Sequence, residues 1–559
     1  MLHNHLNRVF SSYGLNHFTI DKPLQAALEY ARLDSSYFKR LTAFGEYAGK
    51  DLLEITDYID KVARPKLRMW DVQGTRLDWV QIDPAHKQAL EKLLDFGIVR
   101  AVYAESAPFQ FHYAMGYLLA DPGLYCTLTL GNQTAYALYK YGDQELQQKY
   151  LTRYLEADSR QAWHGATFYT ETQGGSDLGA NRAVAKPAGK RWTIDSPDKY
   201  FASNAGIADG ALVTARPEGG QAGTRGIALF FVPAFREDGS TNYCIRRLKD
   251  KLGTRAVPTG EVELIASEAY LIGSVEHGIY QALEVLIVAR LANAMAALGV
   301  ARKAYLEALH FTQKRQAFGK PVIEHPLVQK DLLEMEVEIE ANLLLTLTAI
   351  EKFDGVWHEP PPYSDEFHYA RFLAHIAKNM TAEMSARVTQ QAMELHGGVG
   401  FLEDFPVARW HREALITPIW EGTSNIQALD MLEVMAKKNA HQRLFDEIHT
   451  FLPTAKKGWV KEALGTQLLK LEKETTRTLK LDATDAQYHA KALLVSLGEL
   501  AATRHLLEAG DRLAADKGDH RFVRIVEFYA LKHLTQELWP VSHVKASRTI
   551  ILIDQTVSS

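Results

Sequence analysis

Apolar residues recur at helical spacing along most of this chain. Leu90, Leu93, Leu94 and Ile98 follow i, i+3, i+4, i+8 spacing, which predicts a helix with one buried face. The stretches with helical patterns are 1–60, 83–154, 278–438 and 440–559. The chain is therefore predicted to be mainly helical, with a polar first stretch that wraps around or docks on the rest.

A central stretch has a different pattern. Between residues 162 and 270, short runs such as GALVTARP, GIALFFVPAF and EVELIAS favour β-strands, and turns containing Gly and Pro separate them. A β domain between helical ones makes the predicted fold class α+β, mainly α. The predicted segments are an N-terminal extension at 1–60, a helical domain at 61–160, the β domain at 161–273, a second helical domain at 274–438 and an additional helical domain at 439–559.

The composition is that of a soluble globular protein. Hydrophobic residues make up 47% of the 559 positions, charged residues 23%, and the formal net charge of −5 argues against wholesale binding to nucleic acid or to an anionic membrane. Two distant cysteines, Cys126 and Cys244, argue against a disulfide framework or a zinc site and favour a reducing, cytoplasmic location. The most apolar stretch, 285–301, is interrupted by Arg290 and is predicted to be a buried helix.

The segment IWEGTSNIQ, residues 419–427, carries the strongest candidate for catalysis. Its carboxylate, Glu421, stands between bulky apolar residues and a run of small polar ones. If Ile419 and Trp420 exclude water, the pKa of Glu421 rises and the carboxylate can remove a weakly acidic C–H proton. The alternative interpretation is that Thr423 or Ser424 only caps the helix that follows.

Four further motifs are weak when each is taken alone. TFYTETQGGSDLGAN contains a tight turn that could bind an anionic or carbonyl edge, or could be an empty hairpin. DKYFASNAG places Tyr200 on a strand, where its ring could cover a planar group. KRQAFGKPVIEHP joins Arg315 to Phe318 at a helix end, which suits a pyrophosphate and an adenine but also a solvated helix end. MELHGGVGFLED has a glycine pair that could cap a helix or let the backbone approach a cofactor.

In their order along the chain, these five motifs resemble those of the acyl-CoA dehydrogenase family. The wording TETQGGSD and the N-terminal run WDVQGTRLDWVQIDPAH are similar to its AidB branch. The resemblance implies an N-terminal helical domain, a β-barrel-like middle domain and a C-terminal four-helix bundle, followed by the extra C-terminal helices. It also implies FAD as cofactor, an acyl-CoA or related thioester as substrate, electron-transfer flavoprotein or a similar acceptor, and a homotetramer built as a dimer of dimers.

Functional residues of the family can be carried over by position. The resemblance implies that Glu421 removes the α-proton of the substrate, that Arg290 is an active-site arginine, and that the β-hydrogen leaves as hydride to flavin N5. The implied FAD contacts are Phe168, Tyr169, Thr170, Gly175, Ser176, Tyr200, Ala202, Ser203, Arg315, Gln316, Phe318, His396, Gly397, Gly398, Thr423, Ser424 and Asn425. The implied substrate contacts are Ser176, Arg290, Trp420 and Gly422, and no metal ligand is implied.

The sequence departs from the family pattern at three positions. Thr172 stands where Pro is usual, Tyr200 where Trp is common, and Ile287 where several members have an acid that helps to position the substrate. The change at Ile287 bears on the substrate class more than on the cofactor.

Two other functions stay open from the sequence. An AidB-like flavoprotein of the stress or alkylation response could associate with DNA through its C-terminal region. However, residues 441–559 carry 17 Lys and Arg against 15 Asp and Glu, interleaved, so they lack the basic run that DNA binding usually shows. A helical oligomerisation or lid domain is the favoured interpretation of that region. The second alternative is a protein that binds acyl-CoA with little turnover.

Overall fold

The computed structural model describes residues 9–456 and 458–551. The chain divides into two compact units. The sheet unit comprises Asp51–Ala292, and the bundle unit comprises the chain up to Lys50 together with the chain from Asn293 onward. The N-terminal extension up to Lys50 and the additional C-terminal helices therefore belong to the same unit.

Helices dominate the described chain. The described α-helices of four or more residues are α1 Lys22–Tyr30, α2 Phe38–Ala48, α3 Asp51–Lys61, α4 Pro84–Asp95, α5 Arg100–Ala104, α6 Phe109–Leu119, α7 Pro122–Tyr141, α8 Gly278–Lys314, α9 Pro326–Asp354, α10 Asp365–His396, α11 Pro406–Ala414, α12 Ser424–Lys438, α13 Ala440–Phe451, α14 Trp459–Leu479, α15 Ala483–Lys517, α16 Arg521–Ala530, α17 Val541–Ala546 and α18 Arg548–Ile551. The strands are β1 Lys66–Trp70, β2 Arg76–Gln81, β3 Gly165–Phe168, β4 Val184–Ala188, β5 Arg191–Ser203, β6 Gly210–Pro217, β7 Ala228–Pro233, β8 Cys244–Leu248, β9 Thr259–Leu271, β10 Gln316–Ala317 and β11 Lys320–Pro321.

The β domain of the sheet unit is a closed barrel. Its strands pair in the order β6, β4, β5, β9 and β7, and β7 pairs back to β6 to close the ring. Strand β3 adds to β6 in parallel and β8 adds to β9. Closure removes free sheet edges, and alternate residues such as Phe168, Val213 and Phe230 fill the interior. The expected β-barrel-like middle domain is confirmed.

A β-hairpin lies inside the segment that the sequence analysis assigned as helical at 61–160. Strands β1 and β2 pair through a turn in which the Asp71 carboxylate accepts hydrogen bonds from the backbone N–H groups of Gln73 and Thr75, both at 2.8 Å. Val80 packs on the barrel core while Trp79 is half exposed. This strand alternation is short, which explains why the helical spacing around it masked it.

Helix starts follow capping chemistry that the sequence carries. The Asp121 side chain accepts from the N–H of Leu124 at 2.9 Å, and Pro122 occupies the first turn of α7. Asp482 caps α15 in the same way. Helix α8 is long and apolar enough to cross a membrane, but 89% of its most apolar window is buried. The prediction of a buried helix at 285–301 is confirmed.

In the bundle unit, the part of the N-terminal extension up to Lys50 makes buried polar contacts with α8. Ser12 donates its backbone N–H and its hydroxyl to Glu307 of α8, at 3.0 and 2.8 Å. Buried Arg302, also on α8, pairs with Asp21 at 3.3 Å. These groups are buried, where removing one partner of an ion pair is strongly destabilising, so the extension is an integral part of the unit.

Candidate functional site

Glu421 has an uncommon backbone conformation for a residue with a side chain. Its φ is +57°, in the left-handed region, and the following Gly422 has φ +92°. A non-glycine residue is rarely found there, and the strain persists only where surrounding contacts hold it. Such conformations cluster at functional sites. Glu421 is one of eleven described non-glycine residues with positive φ, and it lies in the segment that the sequence motifs select.

Buried side chains hold this strained segment in place. The Gln427 amide donates to the carbonyl oxygens of Glu421 and Gly422, at 2.9 and 3.0 Å. Lys378 of α10 also donates to the Gly422 carbonyl at 2.7 Å, and His375 bonds the Gln427 amide oxygen at 3.0 Å. His375, Lys378 and Gln427 are each 0% exposed, so they fix the carbonyls rigidly. Lys378 and His375 could not be identified from the motif around Glu421, because they lie 43 and 46 positions before it in the chain.

The aromatic residue beside the carboxylate is anchored, whereas the aliphatic one is not. The Trp420 indole donates to the Asn293 side chain, which in turn donates to the Thr417 carbonyl at 3.1 Å. Ile419, by contrast, is 58% exposed. The prediction that Ile419 keeps water from Glu421 is wrong for the single chain, because the turn that anchors Trp420 directs Ile419 outward.

The residues after Gly422 start a helix, as the alternative interpretation expected. Thr423 is the N-cap of α12 and accepts from the N–H of Ile426. Ser424 is buried and donates its hydroxyl to Glu383 at 2.7 Å, which leaves Thr423 and Asn425 as the exposed groups. A capping role does not exclude ligand binding, since a helix N-terminus carries unsatisfied N–H donors.

The segment after α8 forms an exposed two-residue hairpin. Strands β10 and β11 pair around Phe318 and Gly319, whose φ angles of +52° and +79° match a type I′ turn. The Phe318 side chain is 96% exposed, and both Arg315 and Gln316 are exposed. An aromatic ring held out by a strained turn is typical of a group that meets a ligand or another chain.

The glycine pair lies close to the end of α8. The His396 ring stacks on Phe311 with centroids 4.4 Å apart, so the C-terminus of α10 meets the last turn of α8. Burial lowers the pKa of His396, so this ring is a packed, neutral histidine. Gly397 has φ +64°, and a side chain atom built on Gly397 or Gly398 would meet no neighbour within 4 Å. The structure thus places the Arg315 and glycine motifs side by side on an open face of the bundle unit.

In the sheet unit, a buried ion pair positions the Thr170 segment. Glu171 and Lys199 are both 0% exposed and lie 2.8 Å apart. Glu171 also accepts from the backbone N–H groups of Arg182 and Ala183, at 2.7 and 3.1 Å. The Tyr200 N–H then donates to the Thr170 carbonyl at 2.9 Å. This pair was missed by the sequence analysis, although it lies inside two of the motifs.

The predicted flavin contacts of the barrel divide into two groups. Phe168 and Ala202 are 0% exposed in the barrel core, so their side chains pack inside the barrel and a cofactor could meet only their backbone. Tyr169 is also largely buried. Thr170, Gly175, Ser176, Tyr200 and Ser203 are at least partly exposed.

Two contacts constrain the partly exposed residues of the barrel. A Cβ on Gly175 would overlap the Thr170 hydroxyl, so the turn requires glycine there. The Lys249 ammonium lies 3.0 Å from the centre of the Tyr200 ring and pairs with Glu261 at 2.6 Å. One face of that ring is therefore already covered by a cation. Arg290, on α8, is 4% exposed.

Family models match three successive parts of the chain. They are described as the N-terminal domain of the adaptive response protein AidB, at residues 7–159, and as the middle and C-terminal domains of acyl-CoA dehydrogenase, at 166–266 and 276–436. The chain is 32% identical over 294 residues to the short-chain specific acyl-CoA dehydrogenase of Clostridium acetobutylicum, across 52% of this chain and 72% of that one. The chain therefore belongs to the acyl-CoA dehydrogenase family.

Within that family the chain is AidB-like. It is 27% identical over 442 residues to AidB of Escherichia coli, across 75% of this chain and 77% of that protein. Its fold is similar to Caenorhabditis elegans ACDH-11 in complex with C11-CoA, with TM-score 0.84, 23% identity and coverage of 98% and 96%. It is also similar to an acyl-CoA dehydrogenase from Bacillus anthracis complexed with FAD, with TM-score 0.70, 16% identity and 84% coverage of both chains. The predicted family and fold class are confirmed.

Proposed function

We propose that this protein is an FAD-dependent acyl-CoA dehydrogenase in which Glu421 removes the α-proton of an acyl thioester. The observation that carries the proposal is the strained backbone of Glu421, held through its own carbonyl and the next by buried Gln427 and Lys378. A strained backbone that fixes the Glu421 carboxylate suits a base that must approach one C–H bond in one geometry. A positioned base contributes roughly a hundred- to ten-thousand-fold to the rate.

The chemistry of the available donors fits FAD. In the bundle unit, the Arg315 guanidinium, the glycine pair and the Phe318 ring offer a charged donor, open backbone and a stacking surface, as a dinucleotide needs. In the sheet unit, Thr170, Ser176 and Ser203 offer hydroxyls of the kind that would bind a ring edge or a phosphate. Bound FAD would supply the acceptor for the β-hydrogen of the substrate as hydride.

The chain itself would do the remaining work. Glu421 would take the proton, and its backbone N–H would donate to the thioester oxygen as negative charge develops there. Trp420, fixed by Asn293, would cover one side of the reacting carbons. Arg290, buried on α8, is proposed as an active-site cation that stabilises negative charge on the substrate.

An anaerobic titration tests the proposal. Purified protein containing flavin is mixed with saturated acyl-CoAs of increasing length, and the visible absorbance of the flavin is followed. We expect at least one length to bleach it, and Glu421→Gln to slow bleaching by about a hundred- to ten-thousand-fold while flavin content is unchanged. The matched control is Glu403→Gln, which removes an exposed carboxylate that is paired with Arg412. This variant should bleach at the parental rate. Bleaching of Glu421→Gln at the parental rate would refute the role of Glu421.

The implied partners follow from the same residues. If Arg315 and Phe318 bind the FAD of a neighbouring subunit, a lone chain has an incomplete site, so we infer a dimer of dimers. Electron-transfer flavoprotein or a similar carrier is the proposed acceptor, and the cytoplasm the proposed location.

The match to an AidB N-terminal domain favours a second candidate, an AidB-like flavoprotein that binds acyl-CoA or DNA with little turnover. Many basic residues of the C-terminal helices are paired within the chain, Arg443 with Glu447 and Arg504 with Glu508 among them. Weak, non-saturating DNA retention across a salt series is therefore expected. Tight, steeply salt-dependent retention, with no acyl-CoA bleaching the flavin, would favour this second function.

A further inference from the structure

The side-chain amide of Gln133 is buried without a partner. Gln133 lies on α7 and is 1% exposed. Neither its amide nitrogen nor its amide oxygen has a hydrogen-bond partner among the described residues. Buried polar groups in native proteins are almost always hydrogen-bonded, because leaving one unpaired forfeits its hydration. A group outside the protein chain is therefore expected to bond this amide.

The face of α7 that carries Gln133 is turned toward α8. Tyr136 and Lys140, three and seven residues later, both bond the buried carboxylate of Glu284 on α8. Residues at i, i+3 and i+7 share one helix face. Gln133 therefore lies on the face that meets α8 within the sheet unit.

The level of Gln133 along α8 follows from the neighbouring helix α6. The Phe109 ring lies 6.5 Å from the Tyr136 ring, and His112 lies 3.1 Å from the Asn132 amide, so α6 and α7 run antiparallel. Tyr113, one turn beyond Phe109, donates to the Val288 carbonyl at 2.9 Å.

Phe109 on α6 is thus level with Glu284 on α8, and Tyr113 is level with Val288. Moving one turn toward the C-terminus of α6 therefore corresponds to moving one turn toward the C-terminus of α8. Because α7 runs antiparallel to α6, the same movement corresponds to one turn toward the N-terminus of α7, from Tyr136 to Gln133. Ile287 follows Glu284 by three residues and shares its face. Gln133 therefore lies level with Ile287, the position where the resemblance implies that several family members have an acid that helps to position the substrate.

The same face of α7 leads toward solvent. Between Pro122 and Leu138 every residue of α7 is buried except Cys126, which is partly exposed. Cys126 and Thr129 precede Gln133 by seven and four residues, so they share its face, and Cys126 is about 10 Å along the helix axis from Gln133. We call Cys126, Thr129 and Gln133 the polar strip. It has partly exposed Cys126 at one end and the unpartnered amide at the other.

We propose that Gln133 is a specificity-determining residue that hydrogen-bonds a hydroxyl group carried on the acyl chain of the substrate. The inference rests on the proposed acyl-thioester substrate. A hydroxyl both donates and accepts, so one such group matches the oxygen and the nitrogen of the amide together. An anionic substituent is disfavoured, because Glu284 lies on the same side and Lys140 is already paired with it. In this way Gln133 would supply the polar contact that Ile287 does not.

Ligand binding tests this without requiring turnover. The melting temperature of the flavin-containing protein is measured with pairs of CoA thioesters of equal length, one unsubstituted and one with a terminal hydroxyl. At one chain length we expect the hydroxyacyl-CoA to bind at least tenfold more tightly than its unsubstituted partner. Gln133→Leu and Gln133→Met should abolish or reverse that ratio. Thr134→Val, a buried neighbour whose hydroxyl bonds the Leu130 carbonyl in its own helix, should keep it.

The unliganded variants separate a ligand from a trapped water. Replacing an amide that has no hydrogen-bond partner removes no stabilising interaction. The unliganded Gln133→Leu variant should therefore melt at the parental temperature or above it. A bridging water would make the same variant melt lower. Equal affinity of the parent protein for both thioesters at every length would overturn the proposal, as would a lower melting temperature of Gln133→Leu with an unchanged affinity ratio. If hydroxyacyl-CoAs bind selectively but bleach no flavin, the dehydrogenase proposal fails while the role of Gln133 stands.

Discussion

His533 joins the additional C-terminal helices to the bundle, and its protonation should control their docking. The ring bonds Glu338 of α9 at 2.7 Å and Glu499 of α15 at 2.8 Å. Burial alone would lower the pKa of His533, but the hydrogen bonds to these two carboxylates outweigh burial and raise the pKa to about 9. The imidazolium therefore bridges two acids that are themselves largely buried.

The magnitude follows from that pKa. A rise from 6.5 to about 9 corresponds to about 3 kcal/mol of extra stability. Because the pKa of the folded state is the raised one, this contribution is complete below pH 6.5 and is lost as the pH rises through 9. The free energy of unfolding should fall by about 3 kcal/mol over that interval through His533 alone.

Urea unfolding followed by circular dichroism between pH 6 and pH 9.5 measures this loss. His533→Gln should be less stable than the parent at pH 6 and should show a flatter pH dependence, so that the two curves converge near pH 9. His449→Gln, whose pairing with Glu472 is half exposed, should stay within about 0.5 kcal/mol of the parent throughout. Parallel curves for the parent and His533→Gln would refute the reasoning.

Two further predictions concern segments with proposed flavin contacts, one in the sheet unit and one in the bundle unit. Lys199→Met should destabilise the protein by about 3–5 kcal/mol in urea unfolding because it strands the buried Glu171 carboxylate, and adding Glu171→Gln should recover part of that loss; additive losses would show that the pair is not coupled. Phe318→Gly should leave the free energy of unfolding within about 1 kcal/mol of the parent, since it relieves a left-handed backbone, but should increase flavin loss on dialysis; unchanged flavin retention would argue against a role for the Phe318 ring.

Much of the fold could be predicted because it depends on local patterns. Helical spacing and short β runs located the barrel between helical domains. The hairpin β1–β2 escaped detection, since strands of five and six residues give a weaker signal than the helices around them.

The candidate site could be predicted only in part. The sequence alone identified Glu421, its small polar neighbours and the family to which the motifs belong, because such motifs are contiguous in the chain. Contacts between distant positions were decided by the tertiary structure: the buried support from Lys378 and His375, the Glu171–Lys199 pair, and the exposure of Ile419. The physical reason is that burial and hydrogen-bond satisfaction depend on which segments meet in space, and a local pattern records only which residues are available to meet.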